Sequence, residues 1–148
     1  MTALLRTALV FCLAVSLPGV GALAAEPMLV SGVWMRPSIS STGSSALYLS
    51  LLNSGPAEDA LVSVTTDVAM HCQLHSTQSD AGVVGMRALG ALPLPPGKTV
   101  ALEPKGNHVM LMGLTRLLRA GDHAAVVLRF EDHAPMTVDA VVSMTPPQ

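Results

Sequence analysis

The chain has 148 residues, a formal charge of −2, nine methionines, two cysteines and only 3% aromatic residues. That is enough chain for one domain with a sizeable core, and the mildly acidic balance without any basic run excludes a nucleic-acid partner. Neither Gly-x-Ser-x-Gly nor His-Glu-x-x-His occurs, so the common hydrolase signatures are missing and no enzymatic activity is expected.

Residues 1–24 read as a secretory signal peptide. Arg6 supplies the positive start, and the apolar run Thr7 to Leu17 is too short to span a bilayer. Pro18, Gly19 and Gly21 break the run, and Ala22, Leu23 and Ala24 form a small-x-small cleavage site. Cys12 lies within the run without a lipoprotein-like box, so no lipid anchor is expected there. The remainder, residues 25–148, is expected to form a single domain with a formal charge of about −3 once Arg6 is gone. It has no second apolar run long enough for a membrane span. Its lone cysteine, Cys72, cannot form an internal disulfide.

The mature chain reads as short strands separated by turn residues. Met28 to Arg36 is strand-like and leads into a Ser/Gly-rich loop over Pro37 to Ser45. Ala46 to Asn53 is a second strand, closed by the turn residues Asn53, Ser54, Gly55 and Pro56. Asp59 to Thr66 alternates apolar and polar residues at period two. Met70 to Ser76 and Val83 to Leu89 flank a turn over Ser79 to Gly82. Pro93, Pro95, Pro96 and Gly97 read as a break, followed by strands over Lys98 to Leu102 and Asn107 to Met112. Thr115 to Arg119 is read as one helical turn, Ala124 to Phe130 as a strand, Glu131 to Ala134 as a turn and Pro135 to Ser143 as the last strand. Eight or nine short strands without sustained helical periodicity predict an all-β, antiparallel β-sandwich or barrel.

Among these strands is a spaced set of soft ligands. Ten residues separate His75 from Met86, twenty-one separate Met86 from His108, and Met110 and Met112 follow at alternate positions. In a strand, residues two apart share a face, so His108, Met110 and Met112 point one way while Val109 and Leu111 can enter the core. His75 and Met86 flank a turn and can meet across a hairpin. Taken singly, each of these residues is more often structural, the methionines above all as gap-fillers in a core short of aromatics. As a group, neutral thioether and imidazole donors favour Cu(I) over hard divalent ions, and they escape the thiol oxidation of an extracytoplasmic compartment. Two imidazoles and two thioethers would leave a +1 site with Cu(I). Such binding should weaken on acidification, because a protonated imidazole has no lone pair to give.

The pattern His75-x10-Met86-x21-His108-x-Met110 resembles the signature of the PCu(A)C periplasmic copper chaperones. Similar supporting residues run along the mature chain: Trp34 and Arg36, Ala46 and Tyr48, Asn53, Asp59 and Leu61, Gly82 before Met86 and Arg87, His108 through Leu114, Gly121 and Asp122, and Leu128, Phe130 and Glu131. The resemblance implies a cupredoxin-like (Ig-like) β-sandwich that binds one Cu(I) through His75, Met86, His108 and Met110. It also implies a periplasmic location and delivery of copper to the CuA centre of cytochrome c oxidase, with that oxidase subunit or a Sco-type copper protein as partner. General periplasmic copper homeostasis or uptake is the alternative role.

One local feature departs from the family pattern. Met70, His71 and Cys72 precede His75, with His71 on the same strand face as His75 and Cys72 pointing toward the core. His71 and Met112 are therefore candidate neighbours of the site rather than ligands. His123 and His133 read as solvated turn residues. A blue-copper electron-transfer site would need a Cys with two His and an axial Met. Cys72-x-x-His75 fits that poorly, since ten residues intervene before the next methionine.

Overall fold

The computed structural model describes residues 28–147. The signal peptide expected over residues 1–24, and Cys12 with it, lie outside the described residues. Within them, ten strands form: β1 Met28–Met35, β2 Ser44–Asn53, β3 Asp59–Thr66, β4 Ala69–Asp80, β5 Val83–Ala88, β6 Leu92–Leu94, β7 Thr99–Leu102, β8 Asn107–Leu114, β9 His123–Phe130 and β10 Met136–Val142. Among the described residues no helix is long and apolar enough to cross a membrane.

Hydrogen bonds connect the strands in the order β5-β4-β8-β2-β1-β10-β9-β3-β6, and β7 adds to β2. The ladders are antiparallel except β1–β10, where Trp34 faces Val141 and Met35 faces Val142 in parallel. The expected antiparallel β-sandwich is present, with this one short parallel contact added. β1 makes this possible. It runs antiparallel to β2 along most of its length, bulges between Ser31 and Trp34 around the positive-φ Gly32, and touches β10 only with its last residues. A bulge bends a strand and raises its twist, so one strand can serve both halves of the sandwich.

The core lies between the halves and is one cluster, with Leu47, Leu49 and Leu51 of β2 and Val109 and Leu111 of β8 on one side. Leu61 and Val64 of β3, Val126 and Leu128 of β9 and Ala140 of β10 come from the other. β9 shows the period-two logic clearly: Ala124, Val126, Leu128 and Phe130 are buried, while His123, Ala125 and Arg129 are exposed. β2 is buried at Ser45, Leu47, Tyr48, Leu49, Leu51 and Asn53. Its one edge pairs with β1, and the other is shared by β8 at Ser44 to Leu47 and β7 at Leu49 to Leu52.

Two expectations fail locally. The Pro93 segment is not merely a break, because Leu92–Leu94 pairs with β3. The proline is tolerated since β6 ends the strand order, so its missing N–H faces no ladder. The helical turn over Thr115 to Arg119 does not form. Its backbone bonds outward instead: Leu118 N–H donates to Ser38 Oγ at 3.0 Å, Leu118 O accepts from Ser38 N–H, and Arg119 N–H donates to Asp122 Oδ2 at 2.9 Å. The two bonds to Ser38 tie the segment to the loop between β1 and β2, which walls the site described next.

Candidate metal centre

β4 and β8 are antiparallel neighbours, in a register that sets His75 directly opposite His108. The imidazoles stack with centroids 5.9 Å apart and planes inclined by 16°. Each ring is held by the same local device. His75 Nδ1 lies 3.2 Å from the Gln73 carbonyl, and His108 Nδ1 lies 3.1 Å from the Gly106 carbonyl, in both cases two residues upstream. A carbonyl oxygen only accepts, so Nδ1 carries the proton in both rings. The Nε2 lone pairs are left free for a metal, the arrangement that backbone carbonyls commonly impose on ligating histidines.

The carbonyl behind His108 is itself placed by a tight turn. Gly106 N–H donates to Glu103 O at 3.0 Å across Pro104 and Lys105, and Lys105 sits at φ 70. Proline first and a positive φ second is type II turn geometry, which glycine or asparagine would fill without strain. The Gly106 carbonyl then accepts from the Thr77 N–H at 3.2 Å as well as from His108. The turn, β4 and the histidine ring are thus fixed to one another.

The thioethers approach from two directions. Met110 faces Gln73 on β4 and Ala46 on β2, and the small Ala46 side chain leaves room over it. Met86 sits on β5 opposite Thr77, on the β4 face that also carries His75, and is 62% exposed. His108 is 7% exposed and has the buried Tyr48 ring 6.5 Å away, itself packed on Trp34 at 4.6 Å. His108, Met110 and Met86 line one open groove of about 890 Å³, walled by the loop between β1 and β2, the start of β2, Tyr48 and Met144. The charged residues lining it are Arg36 and Lys105, both cations. His75 stands at the margin, reached through its stack on His108.

The other soft residues fall in distinct places. His71 pairs with Met112 on the same outer face, farther along the β4–β8 ladder. Cys72 packs half-buried against the core, on the opposite face of β4 from His75. Burial pushes its thiol above the ordinary value, outweighing a backbone hydrogen bond at Thr66. A protonated thiol aimed inward cannot complete a blue-copper set with His75. Among the described residues no three of His, Cys, Asp and Glu gather at one point, so a metal on this face needs the thioethers.

The reading of His123 and His133 as solvated turn residues holds in part: His123 is exposed but lies in a strand, and His133 lies in the turn but is half-buried. His123 opens β9 and meets Asp139 Oδ2 at 2.5 Å. His133 meets the buried Asp59 at 2.6 Å, across 74 residues of sequence. Nothing in local spacing signals that second pair; the one available hint was a carboxylate opening a strand directly before the apolar Ala60, Leu61 and Val62.

The chain matches the profile of the family described as "Putative lipoprotein LpqE-like" over residues 28–142. It is 35% identical over 109 residues to "Putative lipoprotein Lxx21020" of Leifsonia xyli subsp. xyli, a match covering 73% of this chain and 64% of that protein. The chain thus spans less than two thirds of that relative's length. Among solved structures, the copper-bound PCuAC domain from PmoF2 superposes with a TM-score of 0.68 at 27% identity, covering 80% of this chain and 94% of that domain. The solution structure of CuI-DR1885 from Deinococcus radiodurans gives 0.60 at 31% identity, covering 84% and 81%. The chain belongs to the LpqE-like family and carries the cupredoxin-like fold of the PCuAC domains, which bears out the resemblance first read from its histidine and methionine spacing.

Proposed function

We infer that this protein is a periplasmic copper chaperone that carries one Cu(I) ion as cargo on His75, Met86, His108 and Met110, without catalysis. The observation that supports the reading is the facing histidine pair: both Nδ1 atoms are engaged by backbone carbonyls, and His108 shares an open groove with Met86 and Met110 while His75 stacks on it from the margin. The copper-bound PmoF2 domain and CuI-DR1885 support the choice of metal. Four neutral donors hold a monovalent soft cation without a thiolate, which suits binding that must be reversible. Transfer goes to the CuA centre of cytochrome c oxidase, directly or through a Sco-type copper protein. Arg36 and Lys105 beside the groove favour the approach of an anionic acceptor such as a thiolate.

Competition against a chromogenic Cu(I) chelator tests the site. His108→Ala and Met110→Ala should each weaken Cu(I) binding by at least about tenfold, since each removes one donor from the set. Unchanged affinity in both variants would remove the assignment. Delivery is tested separately by deleting the gene under copper limitation, where CuA-oxidase activity should fall and recover with added copper. Cell fractionation tests the location, which requires the protein in the periplasmic fraction.

A further inference from the structure

The outer face of the β4–β8 ladder holds more soft donors than the proposed loading site uses. Its cross-strand pairs run His75 with His108, Gln73 with Met110 and His71 with Met112. These pairs share one face, because each step along either strand is two residues. Directly facing side chains have Cβ atoms roughly 4.5–5.5 Å apart, within reach for an imidazole and a thioether to bind one ion between them. His71 is exposed and Met112 half-buried, so a cation can reach both. Among the described residues no hydrogen bond or ion pair occupies the His71 ring, whereas His123 and His133 each lean on a carboxylate.

We propose that His71 and Met112 form a second binding station for a soft monovalent d10 cation, two-coordinate through one ring nitrogen and one thioether sulfur. It lies four residues along the strand from His75, about 13 Å. Met110 stands midway, about 7 Å from the residue on either side of it in the β8 row. The station's role in transfer rests on the loading site proposed above; its binding does not. A Cu(I) ion passing along this face exchanges one neutral donor for another and stays Cu(I), so the step needs no oxidant, reductant or proton.

Silver(I), an air-stable soft d10 ion, is the probe, titrated into the full chain with ¹³C-methyl-labelled methionine and ¹⁵N-labelled histidine. The first equivalent should shift Met86, Met110, His75 and His108, and a second should shift the Met112 methyl and the His71 ring. The double variant His71→Ala/Met112→Leu should keep the first response and weaken the second at least about tenfold. A second equivalent that leaves His71 and Met112 unmoved overturns the station, as does a double variant that binds it like the parent. A first equivalent that leaves His75, His108 and Met86 unmoved sinks the loading site instead, and so separates the two failures.

Discussion

Asp59 shows what a single residue does away from the candidate metal site. Its carboxylate is 4% exposed and accepts from the N–H groups of Ala60 at 2.7 Å and Asp132 at 3.0 Å, and it meets the His133 ring. Burial by itself raises its pKa, but these donors and the neighbouring imidazole outweigh it and hold the carboxyl below its ordinary value. A depressed folded-state value means that the ionised form stabilises the fold. That contribution is fully present above the unfolded-state value of about 3.9 and is lost as pH falls through the folded-state value. Asp59→Asn should therefore cost about 1–3 kcal/mol at neutral pH, with the gap to the parent closing in strong acid. Urea denaturation across a pH series measures this, and equal midpoints at pH 7 would refute it. The Asp59 bonds pin the start of β3 to the loop between β9 and β10, so the residue is a clasp within that half of the sandwich.

At the scale of elements, the β4–β5 hairpin decides where Met86 stands. Asp80 pairs with Val83 across a two-residue loop, in which Ala81 has φ 48 and Gly82 φ 81. Positive φ at both positions is type I′ geometry, whose twist matches the strands, and Asn-Gly is its preferred filling. Ala81 carries the penalty of a left-handed conformation, roughly 1 kcal/mol. Ala81→Asn should slow hydrogen exchange of the hairpin amides several-fold while leaving those of β9 unchanged; no slowing would show that the turn does not limit the hairpin's order. The arm needs such help, because every residue of β5 is exposed and none anchors in the core. Segments with few buried contacts open most easily. Binding through Met86 would close the arm over the histidines, so the same amides should gain protection on Cu(I) loading.

For the whole molecule, both halves of the sandwich contribute to one buried cluster, and β1 bonds to each. Such a core unfolds as a unit, and a ligand that binds only the folded state adds to its stability. With free Cu(I) at about 100-fold over its dissociation constant the gain is roughly 2.7 kcal/mol. Thermal scans should show Tm rising with Cu(I) and falling back on chelation, while His108→Ala should respond weakly. An equal rise in that variant would place the metal elsewhere.

The sequence by itself determined the all-β class and the identity of the candidate ligands. Alternation along β9, turn residues at regular spacing and soft donors at alternate positions of β8 are local properties, set by a side-chain period of two. It could also say that His108, Met110 and Met112 share a face and that Cys72 opposes His75. Only the tertiary structure decided what stands opposite that face. The β4–β8 register aligns residues more than thirty positions apart, and a slip of β8 by one would send His108 and Met110 to the core side. The parallel β1–β10 contact, the Pro93 strand at the sheet's end and the Asp59–His133 pair were illegible for the same reason: each depends on partners brought by the fold, not on neighbours in the chain. The absent helical turn after β8 belongs with them, since Ser38 and Asp122 capture the backbone groups that a helix would have used.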